Sequence, residues 1–220
     1  MSAKSKSIPA PAPAERRPAD LSGKRSLTRA RILDAAFKLI GHEHGLQVRI
    51  EEVCALAGVS RGTFYNYFPS MENLFQVLAI ELSHDFNQAV VATLEGIEDC
   101  AVGTNAAIQH YLKRAQRDPA WGWAMVHLSA TGPMLGQESY EACLGTMERG
   151  IKAGDFDVPS AQCARDLLLG ACLASMVSTL RGLTVRSSPK IIAFHVLRAL
   201  GVREERARSI AAQPLPDVLG

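Results

Sequence analysis

The chain has 220 residues, of which 47% are hydrophobic, and a formal net charge of only +2, so it can bury a core without disulfides or metals to hold it together. Its apolar stretches are interrupted before the roughly 18 residues that a membrane-crossing helix needs, and its first residues lack the apolar run of a signal peptide. We therefore expect a cytoplasmic protein without a membrane partner.

The sequence contains no motif of a catalytic or metal-binding site. Its five cysteines are scattered, odd in number and without a C-x-x-C pair, and its six histidines form no pair at metal-ligand spacing. A nucleophile elbow, a P-loop and a dinucleotide fingerprint are all missing. We therefore expect no enzyme activity, no catalytic residues, no metal and no cofactor, and we expect cysteines such as Cys54 to be small buried residues.

The first 25 residues are rich in Pro and Ala and poor in large apolar groups, which predicts a flexible arm over residues 1–25. The arm is basic, because eight Lys and Arg residues but only two acidic residues precede Leu33. It could be a solubilising tail or an arm that contacts DNA, and the sequence leaves both readings open.

Four helices are expected next, in a domain over residues 26–86. Apolar residues recur at helical spacing from Thr28 to Ile40, a short second helix covers about Ile50–Ala57, and Gly58 permits the left-handed turn that ends it. Ser60 can cap a third helix over about 61–67, and Ser70 can cap a fourth. The third helix is too short to be stable alone, so Phe64 and Phe68 must anchor it in the core.

Two short helices joined by a tight turn, over about 48–67, are typical of a helix-turn-helix that reads DNA. The outer face of the second helix offers hydroxyls, an amide and a cation for phosphates and base edges. Each of these residues could singly be a cap or a solvated surface residue, but together they predict binding to a double-stranded DNA operator. The expected DNA-binding residues are Arg49, Ser60, Arg61, Gly62, Thr63, Tyr65, Asn66 and Tyr67.

The segment AGVSRGTFYNYF at 57–68, followed by ENLF at 72–75, resembles the amino-terminal domain of regulators of the tetracycline-repressor (TetR) family. That resemblance implies a homodimer, a divergent carboxy-terminal domain that binds a small molecule, and release of the operator when this effector binds. It also implies that Thr63, Tyr65 and Tyr67 touch the DNA backbone, while Arg61, Gly62 and Asn66 lie near base edges. The chain departs from the family pattern at Met71, where a lysine is common, and at Arg49, where a hydroxyl residue is common.

The rest of the chain has only helical texture, so we predict an all-α fold in which the helix-turn-helix domain precedes a larger helical domain over 87–212 and a tail over 213–220. Helices are expected over about 106–116, 121–130, 139–153, 160–183 and 189–200. The apolar, small-residue pattern of the last two could form a monomer core or half of an intermolecular four-helix bundle. We favour a homodimer through about 160–183 and 189–201.

An effector pocket is expected where aromatic and soft side chains gather near helix-breaking glycines, and few charges surround it, which favours an apolar or weakly polar effector. The candidate lining residues are Trp121, Trp123, Met125, His127, Met134 and Tyr140. These side chains could equally be core. The sequence predicts a DNA-binding transcriptional regulator, and the resemblance implies a repressor that an effector releases. The alternative is a helical interaction protein without DNA or effector function.

Overall fold

The structure is a computed structural model that describes residues 18–218. Across that range the chain is helical and contains no strand, which confirms the predicted all-α fold. The helices are α1 (Pro18–Ile40), α2 (Ile50–Ala57), α3 (Arg61–Tyr65), α4 (Met71–Leu94), α5 (Cys100–Arg117), α6 (Pro119–Ser129), α7 (Gln137–Ala153), α8 (Ala161–Leu180), α9 (Ser188–Ala199) and α10 (Glu204–Ala212), with a 3₁₀ turn at Gly45–Gln47.

The first four helices enclose one core, in which Phe64 and Phe68 are almost completely buried, as predicted. Gly58 adopts a left-handed φ of 63° and ends α2. The helix α3 ends at Tyr65, earlier than predicted, because the Tyr67 backbone N–H bonds to the Phe64 carbonyl at 2.9 Å and tightens the chain into a turn. The predicted burial of Cys54 is confirmed.

The remaining helices form a second core around α5, which packs against α6, α7, α8, α9 and α10. The two cores are joined by α4, because Leu74 and Leu78 of this helix lie in the first core and Val90 lies in the second. The predicted domain boundary at residue 86 therefore falls inside a continuous helix.

Two helical segments differ from the sequence prediction. The first is the start of α1 at Pro18, which makes residues 18–25 helical where a flexible arm was predicted; residues 1–17 of that arm lie outside the described residues. Proline suits the first turn of a helix, and extending a formed helix costs much less than nucleating one. The second is α10, which was missed because it has only nine residues, four of them charged, and Ile210 is the one large apolar residue on its buried face.

By length and composition α8 could cross a membrane. The sequence analysis expected no such helix, because the apolar stretches are interrupted. The core helix of a bundle has the same character, and α8 packs against α5, α6, α7 and α9. It also carries Arg165 and Asp166, which form an ion pair at 2.8 Å. These contacts favour α8 as a bundle helix.

Candidate nucleic-acid interface and effector cavity

The helix α3 is held by its cap and by one buried ring. The Ser60 Oγ accepts a hydrogen bond from the Thr63 backbone N–H at 3.0 Å and lies 2.9 Å from the Thr63 Oγ1. The Phe64 ring is fully buried and contacts Phe68 with ring centroids 6.0 Å apart. A five-residue helix could not persist without these contacts, and they leave its opposite face free.

The structure places the predicted DNA-binding residues on or beside that free face. Ser60, Arg61, Gly62, Tyr65 and Asn66 are exposed, and Thr63 and Tyr67 are half-buried. A Cβ added at Gly62 would meet no atom nearer than 3.8 Å, so the backbone there is open to close approach.

The two predicted arginines differ in their surroundings. The Arg61 Nη1 lies 2.6 Å from the Glu51 carboxylate of α2, in an exposed ion pair. Arg49 is exposed at the start of α2, where its backbone N–H donates to the Glu52 carboxylate at 2.7 Å. No carboxylate of the described chain forms an ion pair with the Arg49 guanidinium, so its charge is available to an external anion.

Sequence reasoning did not place two further arginines of α1 beside α3. Arg25 and Arg29 lie one helical turn apart and line a surface groove with Ser26, Asn66 and Tyr67. The Arg25 guanidinium lies 5.9 Å from the centre of the Tyr67 ring. Because they are four residues apart, both lie on one face of the helix. This spacing is the feature of the sequence from which the pair could have been predicted.

Polar contacts join the two cores. The His127 Nε2 bonds to the His42 carbonyl at 2.7 Å, and the Trp121 Nε1–H donates to the Leu82 carbonyl at 3.1 Å. The Arg181 Nε donates to the Glu43 carboxylate at 2.7 Å. These contacts join α6 to α4 and to the segment after α1, and they join the end of α8 to that same segment.

The six residues expected to line an effector pocket do not line the large cavity of the second core. Trp121, Trp123, Met125 and His127 are buried, and Met134 and Tyr140 are half-buried. The Trp121 ring packs edge-on against Phe86, at 5.4 Å between centroids. Large aromatic rings at helical spacing fill the space between helices. The structure therefore places these residues in or against the core and not on the cavity wall.

The cavity itself has a volume of about 510 Å³ and lies between α4, α5, α7 and α8. Most of its wall is apolar. The apolar lining residues are Val90, Val91, Leu94, Ile97, Ala107, Ile108, Leu135, Ala142, Met147, Ala153, Leu168 and Leu169. Its size falls within the range of small-molecule sites in proteins, which is about 300–1,000 Å³.

Three buried polar side chains meet on the cavity wall. The hydroxyls of Tyr111 and Ser139 share a hydrogen bond of 2.6 Å, and both lie 3.3 Å from the Asn87 Oδ1, to which they can donate. Burial raises the pKa of Tyr111 to about 12, so its hydroxyl stays protonated. We call Asn87, Tyr111 and Ser139 the polar trio; each comes from a different helix.

The polar trio continues outward to an ion pair. The Asn87 Nδ2 donates to one oxygen of Glu138 at 3.3 Å, and the His84 Nδ1 lies 2.8 Å from the other oxygen. This hydrogen bond to Glu138 raises the pKa of His84, and the same bond lowers the pKa of Glu138. The pair links α4 to α7 at the surface.

Three cysteines, Cys100, Cys143 and Cys172, also line the cavity. Burial raises the pKa of Cys143 and of Cys172 to about 12, so both remain thiols at neutral pH. The charged lining residues, Glu98 and Arg149, are both exposed. Over residues 18–218, no group of three or more His, Cys, Asp or Glu side chains could hold a metal ion.

Two family models match the chain. The model described as "Bacterial regulatory proteins, tetR family" matches residues 32–78. The model described as "Tetracyclin repressor-like, C-terminal domain" matches residues 99–213, which is more than half of the chain.

Solved structures extend the likeness to the whole fold. The regulator RolR in complex with the ligand resorcinol is 28% identical, with a TM-score of 0.72, and the match covers 90% of this chain and 100% of that one. The fatty acid degradation regulator FadR from Bacillus halodurans is 18% identical, with a TM-score of 0.63, over 86% of this chain and 100% of that one. The second likeness concerns the fold alone.

Curated relatives match over a shorter segment. The nucleoid occlusion factor SlmA of Glaesserella parasuis is 29% identical over 89 residues, which are 40% of this chain and 44% of that protein. The regulator BetI of Agrobacterium fabrum is 33% identical over 72 residues, which are 33% of this chain and 35% of that protein. The chain thus matches less than half the length of these relatives.

Proposed function

The chain belongs to the TetR family of DNA-binding transcriptional regulators with a ligand-binding C-terminal domain, and on that premise we propose that it acts in the cytoplasm as a homodimeric repressor that a small molecule releases from its operator. The observation that carries the proposal is α3, a short helix whose polar face is free because Phe64 anchors the opposite face. It needs no catalytic step.

On the DNA side, α3 enters the major groove and the polar groups around it bind phosphates. Thr63, Tyr65 and Tyr67 contact the backbone, while Arg61, Gly62 and Asn66 lie near base edges. Ser60 holds the start of the helix, and Arg49 adds a phosphate contact from the start of α2. The groove beside α3 lets Arg25 and Arg29 extend the contact along the backbone.

The dimer forms through α8 and α9. Leu167 of α8 and Ile191 of α9 are each 45% exposed, although both are large apolar residues. Gly170 and Ala174 on α8 are small enough for a partner helix to approach closely. Pairing these helices with their copies would bury the apolar face and set the two copies of α3 at a fixed spacing.

The effector site is the cavity between α4, α5, α7 and α8. Its wall is largely apolar, which fits an apolar or weakly polar small molecule. RolR, whose structure contains resorcinol, is similar over nearly the whole chain. Because α4 lines the cavity and also follows α3, a ligand that shifts α4 would move the DNA-reading helix.

The test begins with selection of DNA fragments from the source genome by the purified protein, followed by mobility-shift titration. Tyr65→Phe removes one exposed hydroxyl, and we expect it to weaken operator binding about tenfold, the loss of a hydrogen bond to a charged phosphate. Tyr140→Phe is the matched control, since the same atom is removed far from α3, and it should bind DNA normally. Failure to enrich any fragment above nonspecific binding at physiological salt would overturn the proposal.

A further inference from the structure

We propose that the effector is an uncharged molecule with a hydroxyl head and an extended apolar tail, and that its head binds the polar trio of Asn87, Tyr111 and Ser139 at the deep end of the cavity. An alkylphenol has this chemistry. The inference rests on the proposed function in that it takes the cavity as the effector site, and it adds which end of the ligand is read and by which groups.

The cavity lining runs along α5 and α7 and differs between its two ends. At one end the Tyr111 hydroxyl of α5 meets Ser139 of α7, and at the other end Cys100 of α5 lies close to Gly150 of α7. The two helices are thus antiparallel, and these two points are eleven positions apart on each helix, or about 16 Å of helix rise. A ligand that contacts both ends of the lining must be long.

Depth distinguishes the two ends. The side chains of the polar trio are all more than nine-tenths buried. By contrast, five lining residues are exposed, and all lie on the Cys100 side of the trio, the nearest of them about one helical turn away: Val91, Glu98, Ala142, Arg149 and Ala153. A ligand therefore enters from the Cys100 side, and the end that it inserts first reaches the polar trio.

The polar trio selects an uncharged head. Its three members carry no charge, and the charged neighbours Glu138 and His84 already pair with each other at 2.8 Å, so neither is left to neutralise a ligand carboxylate or ammonium group. An ion moved from water to this position would lose its hydration without gaining a counter-ion. Charged compounds are therefore disfavoured at the deep end.

The hydrogen-bonding capacity of the polar trio matches a hydroxyl. The Asn87 Nδ2 donates to Glu138 and keeps one further N–H, while the oxygens of Tyr111 and Ser139 keep lone pairs that no described residue uses. A ligand hydroxyl can accept from the first and donate to the second. A carbonyl or carboxylate can only accept, so it would give no proton to whichever of the Tyr111 and Ser139 oxygens does not already accept from the other.

Volume argues for the tail. A cavity of about 150 Å³ is enough to hold a benzene molecule, and this cavity is about 510 Å³. A single phenol ring would leave most of the apolar wall without contacts, whereas a hexyl chain extends along it toward Cys100. Each buried methylene adds affinity, so the tail contributes most of the binding and the hydroxyl contributes the selectivity.

The experiment compares three probes by calorimetry on the full-length protein: 4-hexylphenol, phenol and 4-hexylbenzoate. We expect 4-hexylphenol to bind at least tenfold more tightly than each of the other two. Equal or tighter binding of 4-hexylbenzoate would overturn the uncharged head, and equal binding of phenol would overturn the tail.

Variants locate the head. Tyr111→Phe keeps the ring that packs against Phe86 at 5.0 Å, and it should reduce the preference for 4-hexylphenol over 4-hexylbenzoate about tenfold. Ser139→Ala tests the same wall should Tyr111→Phe fail to fold. Tyr140→Phe lies outside the cavity lining and should leave the preference unchanged. A preference that survives both Tyr111→Phe and Ser139→Ala would show that the trio does not read the head.

Release of the operator is measured separately, so the two proposals can fail separately. If 4-hexylphenol does not bind, but another metabolite releases the DNA and Ala142→Trp in the cavity wall blocks that release, the proposed function stands and the hydroxyl-head inference is wrong. If 4-hexylphenol binds through the trio but no operator is found, the inference stands and the regulatory function is wrong.

Discussion

At the scale of single residues, the arginines of the proposed DNA-facing surface differ in their partners: Arg61 pairs with Glu51 and Arg29 with Glu81, whereas Arg49 forms no ion pair among the described residues. Arg61 must leave or share the carboxylate of Glu51 before it binds DNA, whereas Arg49 has no such partner among the described residues. A phosphate contact by Arg49 releases condensed counter-ions without first breaking an ion pair. Arg49 therefore offers the cleaner test of the electrostatic part of binding.

We predict that Arg49→Ala weakens binding to all DNA sequences alike and lowers the slope of log K against log salt by about one per protomer, since each phosphate contact contributes about 0.9. Titrations at several salt concentrations measure the slope. Lys38→Ala is the control, because Lys38 is already paired with Asp34 on the outside of α1. An unchanged slope in Arg49→Ala would exclude the phosphate contact.

Residues whose roles depend on near neighbours in the chain could be predicted from the sequence, whereas the residues that line the cavity could not. Gly58 and Ser60 act through neighbours within four positions, so their roles follow from the local pattern. The polar trio combines residues from three helices that are separated by 24 and 28 positions, and only the packing of the helices brings them together. Trp121 was predicted to line the effector pocket because it is aromatic, but its large side chain fills the core instead.

At the scale of helices, boundaries set by local contacts could be predicted from the sequence, whereas helices held by distant residues could not. The start of α4 follows from Ser70, whose Oγ accepts from the Asn73 backbone N–H at 3.1 Å. The helix α10 is held by Arg206, which bonds to Asp99 at 2.8 Å and to Asp155 at 2.9 Å, both distant in sequence. Ala207, Ile210 and Ala211 do recur at helical spacing, but a helix of nine residues also needs such distant partners, which the local sequence does not reveal.

The ion pair between His84 of α4 and Glu138 of α7 gives this helix contact a pH dependence. Since the pKa of His84 is raised in the folded protein, its contribution to stability is complete below the ordinary histidine pKa of about 6.5 and is lost as pH rises through the raised value. Since the pKa of Glu138 is lowered, its contribution is present above its ordinary pKa and is lost as pH falls through the lowered value. The contact is thus strongest in mildly acidic solution.

We predict that His84→Gln lowers the melting temperature by about a degree or two at pH 6 and by less at pH 9, the small size reflecting the exposure of the pair. Thermal unfolding at the two pH values measures the difference. In a protein that already carries Glu138→Gln, His84→Gln should show no such dependence, because the partner carboxylate is gone. A shift of equal size at both pH values would mean that the charge of His84 is irrelevant.

At the scale of the whole molecule, the repressor proposal needs two copies of α3 at a fixed distance. The exposed apolar residues of α8 and α9 are the surface on which this requirement can be met. A monomer would bind only one half-site, and it would lose the gain in affinity that comes from linking two binding events.

We predict that Leu167→Glu converts the dimer to a monomer of 23.7 kDa and weakens operator binding at least tenfold, because a buried unpaired carboxylate is costly in an apolar interface. Analytical ultracentrifugation measures the mass. Ile80→Glu, at a residue of α4 that is 56% exposed, introduces the same charge elsewhere and should leave the mass unchanged. A dimeric Leu167→Glu protein would place the interface on another surface.

The continuity of α4 through both cores also bears on how this protein could be recombined with its relatives. A junction placed at residue 86 cuts inside α4, so an extra residue there would rotate everything downstream by about 100° and turn Asn87 away from the cavity. An insertion of seven residues, close to two full turns, would nearly restore the orientation while lengthening the helix by about 10 Å. Helical phase across α4, more than the choice of domain boundary, therefore decides which chimeric sensors can work.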